Sequence, residues 1–328
     1  MKNKLSIITL LFSTIFSFAQ APKIVSVKIF LDSLKNETTE ANHKYYRIIR
    51  DYNSNKEIYE FSEYYKSGKI ALRGTTKDPD HIKLDGNVIS YFESGSKKIA
   101  SNYTDSNLIG KQFKWYENGI MQFEKEFTFD PIKKQSTEKF IQYWDENKNQ
   151  TIIDGNGTYD NLSELNRSDE NEISFFVEKG EIKNGVRDGV WIGKSAKLKF
   201  NFTENYDNGK LISGVSSDEN GKNYNYSEFM QKPEPKNGIG SFYKYIGQNY
   251  YTPNVQGLQG KIYITFVVDK EGKLIEPKVL RDIGYGTGSE AIRIINKASN
   301  WIPGKIRGIP IRTMYALPIT IQSTSPPR

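Results

Sequence analysis

Cysteine is absent from the sequence. That excludes disulfides, thiolate zinc sites, cysteine nucleophiles and a lipid-modified cysteine behind a signal segment. Histidine is nearly as scarce. His43 and His81 each lie among polar residues with no partner motif, so neither is read as a base or a metal ligand. Gly-x-Ser-x-Gly, His-Glu-x-x-His and Gly-x-x-x-x-Gly-Lys-Ser/Thr do not occur. Gly284-Tyr285-Gly286-Thr287-Gly288 has its third glycine one place early for a dinucleotide loop and no lysine after it, so it is read as a connector. The carboxylates are plentiful but dispersed, and no glycosidase pair stands out. No catalytic residue, metal ligand or cofactor is assigned, and the chain is expected to be non-enzymatic.

Long apolar runs are missing after the start. Leu5 to Phe18 is a mostly apolar run of 14 residues behind Lys2 and Lys4, shorter than the roughly 20 that span a bilayer. Ser17-Phe18-Ala19 offers small residues where a signal peptidase cuts. Residues 1–19 are therefore expected to be a cleavable signal peptide and the mature chain periplasmic. The alternative is an inner-membrane anchor. Runs of Lys/Arg are also lacking, and with no nucleic-acid motif nucleic acid is not an expected partner. The positive charge is instead concentrated at the end: Asn249 to Arg328 holds 11 basic and 5 acidic residues, while Gln20 to Gln248 is close to neutral. Such a balance favours a neutral or acidic partner.

From Tyr45 onward aromatic and β-branched residues alternate with charged ones, the pattern of strands. A short phrase recurs at Tyr65-Lys66-Ser67-Gly68-Lys69, Phe92-Glu93-Ser94-Gly95-Ser96, Tyr116-Glu117-Asn118-Gly119-Ile120 and Tyr206-Asp207-Asn208-Gly209-Lys210, with a decayed copy at Trp144-Asp145-Glu146-Asn147-Lys148. A period of 24 to 28 residues over the first copies and the decayed one points to a stacked array of small units. The Asn/Ser-Gly pair supplies the positive φ of tight hairpin turns. The phrase resembles the MORN-type repeat, in the variant of the YwqK-family antitoxins, over about 61–221.

Lys232 to Gly238, with two prolines, reads as a stiff polar linker. A different pattern follows. A short amphipathic helix precedes Pro253. Gly260–Val268 and Leu274–Leu280 read as strands about the turn Asp269-Lys270-Glu271-Gly272. Ser289 is placed to cap a helix whose apolar face ends at Trp301. The order of these motifs, closed by Trp301-Ile302-Pro303-Gly304 and a last strand, resembles the C-terminal domain of the TonB family over about 233–322. The resemblance implies a small α+β domain, a three-stranded antiparallel sheet with two helices, and binding of an outer-membrane receptor segment by strand addition. No long Pro-rich spacer is present, so the resemblance implies partner binding rather than force transmission. The expected fold class is α+β overall: a mostly-β hairpin array at 20–231, the linker at 232–238, the TonB-like domain at 239–323 and a tail at 324–328.

Ile309 to Ile321 alternates, with odd positions apolar and Pro310, Arg312, Met314, Ala316, Pro318 and Thr320 at even ones. A proline has no N–H to give a neighbouring strand, so the even side reads as a free edge. Either the prolines only protect that edge from aggregation, or they frame a docking window at Arg312, Thr313, Met314, Tyr315 and Ala316. The resemblance favours the second. Trp301, Pro303, Gly304, Pro310 and Pro318 are read as structural. The expected function is protein binding linked to energised outer-membrane transport. The alternative is a cell-envelope structural or glycan- and peptidoglycan-binding repeat protein with the last domain as adaptor.

Overall fold

The computed structural model describes residues 25–52, 54–162 and 176–322. The signal segment expected at 1–19 and the tail at 324–328 lie outside the described residues. Among the described residues no helix is long and apolar enough to cross a membrane.

Sixteen strands follow one another in chain order in one antiparallel sheet. They are β1 (Val27–Leu31), β2 (Tyr45–Ile49), β3 (Tyr59–Tyr65), β4 (Ile70–Thr76), β5 (Gly86–Tyr91), β6 (Lys97–Thr104), β7 (Asn107–Trp115), β8 (Met121–Asp130), β9 (Gln135–Trp144), β10 (Gln150–Ile153), β11 (Asn156–Asp160), β12 (Val177–Lys183), β13 (Val186–Ser195), β14 (Phe200–Asp207), β15 (Lys210–Asp218) and β16 (Asn223–Tyr226). Then come β17 (Met230–Gln231), β18 (Glu234–Pro235), α1 (Gly238–Asn249), β19 (Gln259–Val268), β20 (Leu274–Arg281), α2 (Thr287–Lys297), β21 (Trp301–Ile302), β22 (Lys305–Ile306), β23 (Ile309–Pro310) and β24 (Thr313–Gln322). The chain divides into two compact units. One comprises 1–119 and 128–136, the other 120–127 and 137–328.

In the first unit, Ile49, Tyr59 and Phe61 form a buried cluster flanked by Ile29, Leu72 and Leu84. Beside it Glu63, also buried, accepts hydrogen bonds from Arg47 and Lys35. In the second unit Tyr143, Ile152, Ile182 and Trp191 make one core. The sheet β20-β19-β24 makes another: its inward residues Ile262, Ile264, Phe266, Leu317 and Ile319 pack against Phe242 and Ile246 of α1 and Ala291, Ile294 and Ile295 of α2.

The repeated phrase forms turns, of two kinds. Those that start at Asp32, Tyr65, Phe92, Asp145, Asp218 and Asp269 share one bonding pattern. The N–H of the first residue donates to the carbonyl four residues on, and its own carbonyl accepts from the N–H three residues on. Only that third residue is left-handed (Gly68 at φ 85°, Gly221 at φ 76°, Gly272 at φ 84°). This is a type I turn closed by a left-handed residue, and the Asn or Ser before the glycine does not need positive φ. Asn208-Gly209, by contrast, is a two-residue turn with both residues left-handed. It therefore belongs with Asp154-Gly155 and Asn184-Gly185 rather than with the phrase it resembles. The decayed copy sits one residue later than the sequence pattern places it, because Asp145, not Trp144, opens the turn.

Where the first residue is Asp, its carboxylate adds a clamp. Asp145 Oδ1 accepts from the N–H of Asn147 at 2.8 Å and of Asn149 at 2.9 Å. Asp218 does the same for Asn220 and Lys222, and Asp269 for Glu271 and Lys273. Side-chain and backbone hydrogen bonds from Asn149 hold the Asp145 carboxyl below the ordinary value, and the Lys222 N–H does so for Asp218.

Several strand glycines lie under an aromatic ring of the next strand. A Cβ at Gly180 would stand 2.2 Å from the Trp191 ring; Gly193 stands so to Phe202 and Gly214 to Tyr226, each at 2.3 Å. The missing side chain is what lets the ring close over the backbone.

The expected α+β class is corrected. Among the described residues the chain is mostly β, with α-helix confined to α1 and α2, and the C-terminal part does not form the TonB-like α+β domain that the resemblance implies. The physical reason is visible in the pairing. Glu234 and Pro235 of the supposed linker are strand residues that pair with Ile302 and Trp301, and Met230 and Gln231, at the end of the supposed array, pair with Ile306 and Lys305. Trp301 is thus in β21, not at the end of a helix face; α2 stops at Lys297 and starts at Thr287, two residues before Ser289.

Lys148 stands at the left-handed turn position, at φ 68°, where the other copies of the phrase have glycine. Lys148→Gly should therefore stabilise the protein by about 1 kcal/mol, read as a raised denaturant midpoint at constant slope. The turn carboxylates have depressed values when folded, so their contribution is complete above the ordinary aspartate value of 3.8 and is lost as pH falls through the lower folded value. The double variant Asp145→Ala, Asp218→Ala should be less stable than the parent at neutral pH, with the gap closing in acid. A gap unchanged by pH would show that the clamps contribute nothing as anions.

Candidate functional site: an open edge and its buried anchor

β24 is the terminal strand of its sheet. It pairs with β19 over ten residues, from Thr313 opposite Val268 to Gln322 opposite Gln259, and with no other strand among the described residues. Tyr315, Leu317, Ile319 and Ile321 point inward; Met314, Ala316, Pro318, Thr320 and Gln322 are exposed. Met314 is 72% exposed. Pro318 stands opposite Tyr263, and a residue without N–H belongs on the unpaired side of an edge strand. By alternation the N–H groups of Met314, Ala316 and Thr320 share that side.

The expected window is only partly one element. Thr313, Met314, Tyr315 and Ala316 begin β24, whereas Arg312 precedes it and donates to Glu276 Oε1 at 2.7 Å, both side chains being exposed. The single strand Ile309–Ile321 is in fact broken. Pro310 lies in β23 opposite Lys305, and the Ile311 N–H turns back to the Gly304 carbonyl at 2.8 Å. Pro310 therefore closes a hairpin and does not share an edge with Pro318.

The start of β24 is fixed by close backbone contacts. Trp301 is buried, with its ring edge-on to Phe242 and Tyr315, each centroid 4.9 Å away. Its N–H donates to the Gly272 carbonyl at 2.7 Å. A Cβ on Gly272 would come within 1.9 Å of the Trp301 carbonyl oxygen. The turn glycine and the Trp-x-Pro-Gly segment, noted separately in the sequence, thus meet. Pro303 leads into Gly304, where a Cβ would stand 2.3 Å from Thr313 Oγ1 and 3.2 Å from Pro233.

The hairpin β22–β23 carries the residue that sequence reasoning missed. Arg307 occupies its turn at φ 48° and is 1% exposed. Its Nε donates to Glu204 Oε1 at 2.8 Å, and its Nη2 to Glu204 Oε2 and Glu178 Oε2, both at 3.1 Å. The guanidinium carbon lies 3.5 Å from the Phe202 ring centroid, with Phe176 and Phe229 around it. Ile306 and Ile309 flank it and pack on Phe200 and Phe202 of β14. Arg187 forks onto Glu178, while Tyr206 and Tyr226 donate to Glu204 at 3.1 and 2.9 Å. Two cations meet two carboxylates, so the cluster is balanced. Burial, opposed by Arg187 and reinforced by Glu204, pushes the Tyr206 hydroxyl up to about 12. Burial opposes the Arg187 charge, but Glu178 and then Tyr206 more than offset this and raise its value.

One signal was available for this cluster. Glu204 occupies the inward parity of the alternation Phe200, Phe202, Glu204, Tyr206, and Arg307 is a lone cation in the apolar stretch Ile306 to Ile311. A buried carboxylate and a buried guanidinium each require a partner.

Chemically, the cluster has its charges paired and covered, and the edge offers backbone donors and acceptors. The His43 ring lies tilted against Phe30 with centroids 5.0 Å apart, and exposed His81 lies 3.7 Å from Asp78. Among the described residues no three His, Asp or Glu side chains group as metal ligands do.

Replacing Arg307 by methionine leaves buried Glu204 with only Arg187, 3.9 Å away, as a cation, while Glu178 keeps Arg187; the loss should cost about 3–5 kcal/mol in urea unfolding. A loss below about 1 kcal/mol, the range of exposed ion pairs, would show that Arg307 does not anchor the hairpin.

No family model, curated protein or solved structure matches the chain, and a reading of function therefore rests on the geometry of this site.

Proposed function

We propose that the chain is an exported, non-enzymatic protein-binding module that takes up an extended segment of an envelope partner as an added strand on β24. The observation that carries this is the unpaired side of β24, where Pro318 has no N–H to give and Met314 and Ala316 stand exposed. Strand addition needs a rigid edge with free backbone groups, and side-chain pockets then select the sequence. Trp301, Gly304 and the β22–β23 hairpin hold the start of that edge. The basic excess from Asn249 onward supports a neutral or acidic segment. An outer-membrane receptor segment is the partner that the TonB resemblance implies.

A photo-crosslinking residue at Ala316 should trap an envelope protein in cells. Met314→Pro, which removes an N–H from the open side, should abolish the crosslink with little loss of thermal stability. Tyr315→Pro removes a ladder bond to β19 and should cost about 3 kcal/mol. If Met314→Pro is folded and still crosslinks like the parent, β24 is not the docking edge.

A further inference from the structure

A second surface lies in the first unit and is independent of β24. Pairing places Ser62 opposite Arg73, and Arg73 opposite Ile89. Glu60 is opposite Thr75, and the Arg50 N–H donates to the Glu60 carbonyl. These side chains share the sheet face opposite to buried Phe61 and Glu63. They line an open cleft of about 360 Å³, with Asn87 on its far side. Two residues along the same face, Tyr46 and Tyr64 stack across β2 and β3 with centroids 4.9 Å apart.

The chemistry of this face is uneven in an informative way. Arg50 reaches only Glu60, at 3.4 Å between exposed side chains. The Arg73 side chain is exposed and has no hydrogen-bond or ion-pair partner among the described residues. A planar, unpaired guanidinium is a fork for a carboxylate. The remaining polar groups are neutral: Ser62 and Asn87 can both donate and accept, and Thr75, whose hydroxyl donates to the Asp85 carbonyl, can still accept. That suits hydroxyl groups, which also do both; a bare phosphate only accepts. No exposed large apolar side chain lines the cleft, which disfavours a protein partner. Ile89 offers an apolar floor and the tyrosines a flank for the aliphatic face of a sugar ring.

We infer that this face of β2–β5 binds a carboxylate-bearing glycan, with Arg73 taking the carboxylate and Ser62, Thr75 and Asn87 the ring hydroxyls. The strands are spaced by about 4.8 Å, comparable to the length of one sugar residue, so a chain running across them meets one strand per residue.

The test uses the full chain and calorimetric titration with hexagalacturonate, neutral maltohexaose and a linear hexaphosphate. Hexagalacturonate should bind, and the other two should bind at least about tenfold more weakly, the loss expected from a missing charged or hydroxyl contact. Arg73→Glu should weaken hexagalacturonate by about tenfold or more, with an unchanged melting temperature because Arg73 is exposed. Asn87→Ala should weaken it without changing net charge, which gives a second handle. Equal binding by hexaphosphate would reduce the site to a charge patch. Absence of hexagalacturonate binding, or undiminished binding by both variants, would overturn the inference.

Discussion

Arg307 cannot be buried alone. A guanidinium with 1% exposure is tolerated only where its charge is met at close range and most of its N–H groups find acceptors. Glu204 and Glu178 supply the charge, Phe202 a ring face, and Tyr226 and Tyr206 donate to the same two Glu204 oxygens that Arg307 holds. The consequence is geometric. Arg307 belongs to the C-terminal stretch and Glu204 to β14, 103 positions earlier, so the two parts of the second unit are joined by an interaction that fails if either shifts. Apolar contacts of Ile306 and Ile309 add burial but little direction. The charge cluster gives the hairpin its one position.

That anchoring determines what β24 can be. The hairpin holds Gly304, Gly304 packs against Thr313, and Gly272 packs against Trp301. Each contact is a backbone approach that a side chain would block, so the start of the edge is set by backbone rather than by long flexible groups. An edge set in this way can offer its free N–H and carbonyl groups without first being ordered, which lowers the entropic cost of adding a strand. The rest of the sheet uses the same economy: rings closed over Gly180, Gly193 and Gly214, and turns in which a carboxylate clamps two N–H groups.

Much of the array was legible because hairpins announce themselves locally. Aromatic and β-branched alternation marks strands, and a glycine every few dozen residues marks turns. The kind of turn was not legible. Ser67-Gly68 and Asn208-Gly209 look alike in sequence yet differ in the residue before glycine, because the first sits in a turn closed four residues on and the second in a two-residue turn. The strands β19 and β20 and the inward row of β24 were readable from apolar alternation. The break at Ile311 was not, since the alternation runs through it and only the Ile311 bond to Gly304 reveals the bend. The class failed for a related reason. Motif order suggested a separate α+β domain after a linker, but residues of the linker and of the array's end found β partners in the stretch 301–306, and pairing between distant segments leaves no local mark. The partners of Arg307 were invisible for the same cause: they are fixed by topology, not by spacing, and its lone charge in an apolar stretch signals only that a partner is needed.

The central claim is that the Arg307 cluster makes β12–β16 and the sheet β20-β19-β24 one cooperative body. Native-state hydrogen exchange of the unaltered protein tests it most directly. The slowest amides of β14 and of β19 should open with the same free energy, within about 1 kcal/mol, and should respond equally to added denaturant. If the β19 amides exchange through a much cheaper opening while β14 stays protected, the C-terminal sheet unfolds on its own and the buried cluster does not couple the two.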